Sequence, residues 1–522
     1  MPKTAKVRLH LFTDPDFKIT VPTRRQTVVS GGNATYRVES DGLGTYVDDT
    51  DLDVTGLPEG VGFSFAIDPI GYDASTNLTI NTTQLSVGTH NFSIDAEIYT
   101  PPQDAIYADS PSLADVQAAI AAASPGQTVI VPAGTATWTS RLEITKSVLI
   151  VGNGIGSTVI NGHWNASGGS VEPSFNLISF VPSLPQTNPY FRLAHMTISN
   201  IGYSGGVLFL RNDSSYDCTN IRLDHLSLVH TGWVFQHYGL THGVMDHCDI
   251  KGCMDIAGPY TLWTTNGYEH GTISNMYIED STWGAYSGSN EIYHAGNGAA
   301  RYAMRHCTIN LPSTAAISPL FDQHGNQGGN GTPGYGAYAC FGAEIYENTL
   351  NLGANDHSML MFDQRGGKSL VYNNTVTRTG TGGATLRVKE EWQDSTCPPA
   401  VNAINGQPQH ASDSYYWGNR KWGIQFDPAL SPELGAVCST CGLVVPAENV
   451  HVWMEKSSFN GSAGIGVGLL SARPSSGLTA GVGYWATDTQ TLYRATNSTT
   501  WETYYVPYTY PHPHRSDPIL GD

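Results

Sequence analysis

Seven segments of this chain carry the same side chains in the same internal register, and their separations are unequal. They are RLAHMTI (192–198), RLDHLSL (222–228), VMDHCDI (244–250), TISNMYI (272–278), AMRHCTI (303–309), EIYENTL (344–350) and LVYNNTV (370–376). One apolar column reads Leu193, Leu223, Met245, Ile273, Met304, Ile345 and Val371. A second reads Ile198, Leu228, Ile250, Ile278, Ile309, Leu350 and Val376, and between them run Met196, Leu226, Cys248, Met276, Cys307, Asn348 and Asn374. Steps along the first column are 30, 22, 28, 31, 41 and 26 residues. A fixed register inside each segment, with free length between segments, describes coils that stack like on like while loops bulge outward. Asn348 above Asn374 adds a polar rung, because an inward amide can bond to the next amide and to backbone. Cys248 and Cys307 share that column two rungs apart, too far for a disulfide.

The flanks read differently. Residues 1–100 hold short alternating stretches such as Leu78-Thr79-Ile80 and Phe92-Ser93-Ile94 between turn residues, the pattern of a β-sandwich. Tyr99-Thr-Pro-Pro-Gln-Asp follows as a linker. Leu113, Val116, Ala119 and Ile120 then make one apolar helical face, ending before Pro125-Gly126 and the Val-rich TVIVPAGT and SVLIVGNG. The last hundred residues are rich in aromatics and read as a small hairpin element covering exposed strand edges.

The stretch 16–97, with GGNATYRVES, VTGLPEG and GTHNFSIDAE, resembles the Ig-like repeats of bacterial secreted proteins. From about 110 onward the chain resembles the pectate-lyase-like right-handed parallel β-helix superfamily, which includes polysaccharide lyases, glycoside hydrolases and phage tailspikes. The resemblance implies an all-β fold: a right-handed parallel β-helix with a short N-terminal capping helix, preceded by an Ig-like β-sandwich and followed by a small β-rich C-terminal element. The expected boundaries are 1–100, a linker at 101–111, the β-helix at 112–425 and the C-terminal element at 426–522. It also implies a carbohydrate partner, and the tailspikes imply a homotrimer.

Composition narrows the partners. The formal charge is −19, from 26 basic and 45 acidic residues, which disfavours nucleic acid and anionic membranes. No apolar run reaches the length of a membrane span. Met1–Asp16 shows no apolar core segment of a signal peptide, yet the Thr-, Asn-, Gly- and Tyr-rich surface reads as extracellular. The expectation is a protein secreted with its signal removed, or displayed on a virion and anchored there, or on a cell surface, through the Ig-like module. Of the 8 cysteines, Cys438 and Cys441 form a C-x-x-C that reads as a local disulfide, free thiols or half of a zinc site.

The sharpest local repeat sets Phe321-Asp322-Gln323-His324-Gly325 against Phe362-Asp363-Gln364-Arg365-Gly366. On strands of successive coils the phenylalanines stack inward. Asp322 and Asp363 then point outward one strand spacing apart, with His324 and Arg365 two residues further along. Two carboxylates so close suit a retaining glycosidase or one divalent cation such as Ca2+, held by Asp322 and Asp363. His324 would shuttle a proton and Arg365 would bind a uronate or sulfate. Asp363→Asn is then expected to cut turnover with little change in melting temperature. The same residues also read as a surface charge ladder on a structural spike or fibre. The histidines His195, His225, His247 and His306 share one column with Asn275, Glu347 and Asn373, which reads as a turn position or a metal-binding row.

Overall fold

The computed structural model describes residues 3–7, 17–20, 25–28, 32–42, 51–55, 61, 63–65, 75–81 and 89–97 of the N-terminal part. Beyond it, it describes 102–166, 173–182, 190–212, 218–239, 241–257, 276–284, 294–297, 300–311, 319–325, 339–353, 359–380, 383–391, 410–434 and 445–515. The chain forms two compact units, Met1–Gln103 and Asp104–Asp522. Cys438 and Cys441 lie outside the described residues.

In the first unit two four-stranded sheets form. One orders Arg25–Val28, Lys3–Val7, Thr89–Glu97 and Asp51–Thr55, and the other Phe17–Thr20, Asn33–Gly42, Ser75–Asn81 and Phe63–Phe65. The alternation seen in the sequence buries Ala34, Tyr36, Val38, Leu78 and Ile80 on one sheet and Leu52, Val54, Phe92 and Ile94 on the other. The Tyr36 and Phe92 rings meet edge to face at 5.5 Å, so the two sheets share one core.

The second unit is a parallel β-helix. Strand pairing starts at Ile106–Tyr107 on Val129–Ile130 and still holds at Ser414–Tyr416 on Val452–Met454, so the coils extend past both ends expected from the sequence. Three parallel sheets run the length of the stack. Sheet A includes Thr241–Asp246, Met276–Glu279 and Arg301–Arg305, and sheet B includes Thr282–Gly284 and Thr308–Leu311. Sheet C includes Asp249–Ala257 (through its second half), His294–Asn297, Phe321–Gln323, Met359–Gln364 and Ala384–Glu390. At the start, helix Leu113–Ala122 is capped by Ser112, whose hydroxyl accepts the Asp115 N–H at 3.2 Å. Its Val116, Ala119 and Ile120 join the same apolar core as the coils.

The corner between sheets A and B explains the histidine column. His195, His225, His247, His306, Glu347 and Asn373 all have φ between 50° and 57°, the left-handed conformation that turns the chain. In the remaining coil this place belongs to Asp280 (φ 47°) rather than Asn275. Five residues separate the expected register from the observed one here. Ile278 pairs with Met245 and Met304, and Trp283 pairs with Ile250 and Ile309. Ile278 is therefore buried in the first column, Trp283 fills the second, and Ser281 replaces Met276 in the middle one. Ile273 and Asn275 lie outside the described residues. The error has a physical source: Ile273, Met276 and Ile278 mimic the apolar spacing, whereas the coil is anchored by the corner residue and by a Trp that one-dimensional matching overlooks.

Immediately after four of the corners an inward polar side chain caps the neighbouring turn. Asn348 Oδ1 accepts from the Cys307 N–H at 3.0 Å, Asn374 Oδ1 from the Asn348 N–H at 3.1 Å, and Asn419 Oδ1 from the Asn374 N–H at 3.2 Å. The ladder thus gains a third rung, Asn419. Ser281 Oγ does the same for the Cys248 N–H at 3.1 Å. Cys248, Cys307 and Cys340 are buried free thiols, and Cys253 is buried as well.

The C-terminal sheet (Ile465–Gly468, Gly483–Ala486, Thr491–Ala495, Trp501–Tyr505) lies on the outer side of sheet A. There Tyr346, Tyr372 and Trp417 stack in successive coils at 4.6 and 4.2 Å, and Trp485 and Tyr505 cover them. Residues 506–515 continue along the same face. Arg305 donates to the Tyr508 and Thr509 carbonyls, and Arg515 pairs with Glu279 at 3.1 Å. No helix among the described residues is long and apolar enough to cross a membrane.

Candidate functional site

Sheet C carries the tandem Phe-Asp-Gln motif in register, as expected from the sequence. Phe321 pairs with Phe362, Asp322 with Asp363 and Gln323 with Gln364. Both phenylalanines are buried in the core. The two glutamines also point inward and bind polar groups there. Gln323 donates to the Gly366 carbonyl at 2.8 Å, and Gln364 donates to the Gly367 carbonyl and to Ser414 Oγ, both at 2.8 Å. Tyr416 closes the set by donating to Gln364 Oε1 at 2.9 Å. These bonds fix the strand pair from below, so the outward side chains stand on a rigid base.

Outward, Asp322 and Asp363 occupy adjacent positions of one row. They do not lie on an open face: Asp322 is 1% exposed, Asp363 2% and His324 8%. Arg365 grips Asp322 with two N–H groups, its Nε at 2.8 Å, and donates through Nη1 to Glu391 at 2.8 Å. His324 sits between acids, with Nε2 3.1 Å from Asp322 and Nδ1 3.5 Å from Glu391. Arg387 grips Asp363 in the same two-pronged way, at 2.8 and 2.7 Å. Arg365 Nε and Lys389 Nζ stand 3.8 and 4.0 Å from Asp363. Burial pushes the Glu391 carboxyl up, but the His324 hydrogen bond, the Arg365 charge and the Gly325 N–H outweigh it and hold it below its ordinary range.

The four residues read from the sequence, Asp322, His324, Asp363 and Arg365, thus come together. Three partners were missed: Arg387, Lys389 and Glu391. Their signal was the alternation in Leu386-Arg387-Val388-Lys389, apolar residues inward and cations outward on the next strand of the sheet. A divalent cation on Asp322 and Asp363 would compete with two guanidiniums that already take both oxygens of each carboxylate. Burial also alters the expected effect of Asp363→Asn. Removing this charge strands Arg387 and Lys389, so stability falls along with any activity.

The corner column provides a second cluster. The rings of His195, His225 and His247 stack at 4.7 and 4.9 Å. His195, Asp224 and His225 bring three ligand-type atoms within 4.8 Å of one another. Asp224 also takes two N–H groups of Arg192, at 2.8 and 2.6 Å. Burial pushes its carboxyl up, yet Arg192 and Arg222 hold it well below its ordinary range. That pairing makes the cluster an ion-paired corner.

No family model matches the chain, and no curated protein matches it. Among solved structures it is similar to a family 28 exopolygalacturonase of Yersinia enterocolitica, at 9% identity over 87% of this chain and 93% of that one, with a TM-score of 0.38. It is similar to the A-module of a mannuronan C-5 epimerase of Azotobacter vinelandii, at 14% identity over 62% and 95%, TM-score 0.30. The catalytic domain of an alpha-1,3-glucanase gives 12% identity over 81% and 90%, TM-score 0.31. At these TM-scores no residue role is carried across, and the reading of the site rests on its own geometry.

Proposed function

We propose that this chain is a polysaccharide-acting β-helix protein whose working face is sheet C, centred on Asp322, His324, Asp363 and Arg365. The observation that carries the reading is their convergence: paired carboxylates on adjacent strands, an imidazole between two acids and a guanidinium bridging Asp322 to Glu391. This is the side-chain inventory for moving a proton at a sugar while stabilising developing charge. The resemblance to the pectate-lyase-like superfamily supports the same substrate class, although the fold alone does not assign an activity. The sandwich at the N-terminus would be an Ig-like attachment module, the helix at Leu113–Ala122 a cap on the first coil, and the protein secreted or virion-displayed. The sequence features given above support these three assignments.

One observation favours a second reading. Every carboxylate of the cluster is matched by a cation or imidazole and buried, as in a structural clamp of a non-enzymatic spike. A panel of neutral, uronate and sulfated glycans, with product analysis, separates the two. Unsaturated products identify a lyase and new reducing ends a hydrolase. Binding without products, or neither, identifies a receptor-binding or structural appendage.

A further inference from the structure

The C-terminal sheet turns one face to sheet A and the other outward. Trp485 and Leu492 pair across its strands and join the core beneath, so the neighbouring pair, Tyr484 and Tyr493, points the opposite way. Phe459 and Trp501 flank Tyr484 at 5.8 and 6.3 Å between ring centres. The segment from Leu469 to Pro474 is pinned to this aromatic face at both ends. The Tyr484 hydroxyl donates to the Leu469 carbonyl at 2.8 Å, and Trp501 Nε1 donates to the Pro474 carbonyl at 2.7 Å.

Arg473 belongs to that pinned segment. Its guanidinium carbon stands 4.1 Å from the centre of the Tyr493 ring and 5.3 Å from that of Trp501. Two rings thus hold the group in place. Elsewhere in this chain of charge −19 the arginines meet acids: Arg192 meets Asp224, Arg305 Glu279, Arg387 Asp363 and Arg494 Glu502. Arg473 meets none among the described residues. Its side chain donates no hydrogen bond, and its Nη1 is buried without a partner. Asp488, whose charge acts with that of Arg473 on the Tyr484 phenol, accepts the Leu470 N–H at 2.8 Å instead. Arg473, Tyr493 and Trp501 are half-buried, Ser471 and Ser475 beside them are exposed, and Leu469 is 56% exposed.

A guanidinium stacked on rings keeps its N–H groups in one plane, and the edge formed by Nε and Nη2 matches the two oxygens of a carboxylate. The half-buried rings and Leu469 offer apolar surface to the C–H face of a ring that carries such a group. One cation in a strongly acidic chain suits one isolated carboxylate, whereas a polyanion would be repelled by the surrounding field. We propose that Arg473, framed by Tyr493 and Trp501, binds the carboxylate of a single acidic sugar at the end of an otherwise neutral glycan. This receptor site lies on the C-terminal sheet and takes no part in the chemistry of sheet C.

The test measures binding of sialyllactose, lactose and trigalacturonate to the full chain by isothermal titration calorimetry. Sialyllactose should bind at least about tenfold more tightly than lactose, since a hydrogen-bonded ion pair separates them. Arg473→Gln should remove that difference while the melting temperature stays close to that of the wild type. Arg473→Lys keeps a cation over Tyr493 but lacks the planar edge, so it too should lose most of the difference, and it supplies the readout should Arg473→Gln fail to fold. Any turnover on the glycan panel should be unchanged in Arg473→Lys. Equal binding of sialyllactose and lactose, no binding of either, wild-type discrimination in both variants, or tighter binding of trigalacturonate than of sialyllactose overturns the proposal. None of these results bears on the reading of sheet C.

Discussion

Asn374 Oδ1 accepts two hydrogen bonds from Asn348, from its backbone N–H at 3.1 Å and from its side-chain amide at 3.0 Å, while Asn374 Nδ2 donates to the Ile345 carbonyl at 2.8 Å. One amide thereby ties the corners of neighbouring coils where the chain leaves sheet A. Asn374→Ala leaves a buried N–H and a buried carbonyl without these partners. The expected loss is about 2–4 kcal/mol, read as a lower urea midpoint. A change within about 0.5 kcal/mol would show that the ladder contributes nothing net.

Asp363→Asn is expected to destabilise the chain by on the order of 3 kcal/mol, because Arg387 loses a buried carboxylate gripped at 2.8 and 2.7 Å. The double variant Asp363→Asn with Arg387→Met should recover part of that loss. Thermal melts of the two single variants and the double variant measure the coupling.

Glu390 points inward at the end of its strand, where His410 Nδ1 stands 3.4 Å away and the Ala411 N–H donates at 2.9 Å. Burial raises its carboxyl to about 7, with His410 and the Ala411 N–H pulling it back. Its folded value thus lies above the ordinary 4.5, and the folded chain binds the extra proton between these values. This contribution to stability is fully present below pH about 4.5, declines as pH rises to about 7, and is flat above. Glu390→Gln, which mimics the protonated form, should flatten that part of the stability profile. Urea midpoints at pH 5 and pH 8 decide it, and an unchanged slope in the variant excludes Glu390 as the source.

Arg515 reaches Glu279 at 3.1 Å, Asp246 at 3.6 Å and Asp280 more closely still. Arg515→Met should cost on the order of 3 kcal/mol, because Glu279 and Asp246 have no solvent exposure to compensate for the lost charge. Removing residues 506–522 should lower the melting temperature further, since Tyr508 and Tyr510 also stack on Tyr277 and His306.

A chain beginning at Asp104 should fold with the melting behaviour of its β-helix intact. The unit boundary falls at Gln103, and Gln127 bonds to Asp104 at 3.0 Å. A chain beginning at Ser110 should be less stable, because it lacks Ile106–Tyr107 and uncovers the edge at Val129–Ile130. Circular dichroism melts of the two truncations give the comparison.

The apolar columns were legible because each coil repeats its own local pattern, and inward residues at the corner need no knowledge of the neighbouring coil. The Phe-Asp-Gln tandem was legible for the same reason, since two copies of one strand announce their own register. The coil at 276–284 was misplaced by five residues because apolar spacing alone does not mark the corner, whereas a left-handed residue such as Asp280 does. Arg387, Lys389 and Glu391 were overlooked because they reach the site from the next coil, across a loop whose length the pattern leaves free.

By itself, then, the chain's sequence determined a stack of parallel coils, which residues face the core, and the pairing of Asp322 with Asp363. The tertiary structure alone decided that these acids are buried, that Arg365 and Arg387 grip them, and that His324 sits between Asp322 and Glu391. Side-chain direction follows from a period of two within one strand, but neighbours across coils are set by stacking, which connects residues dozens of positions apart.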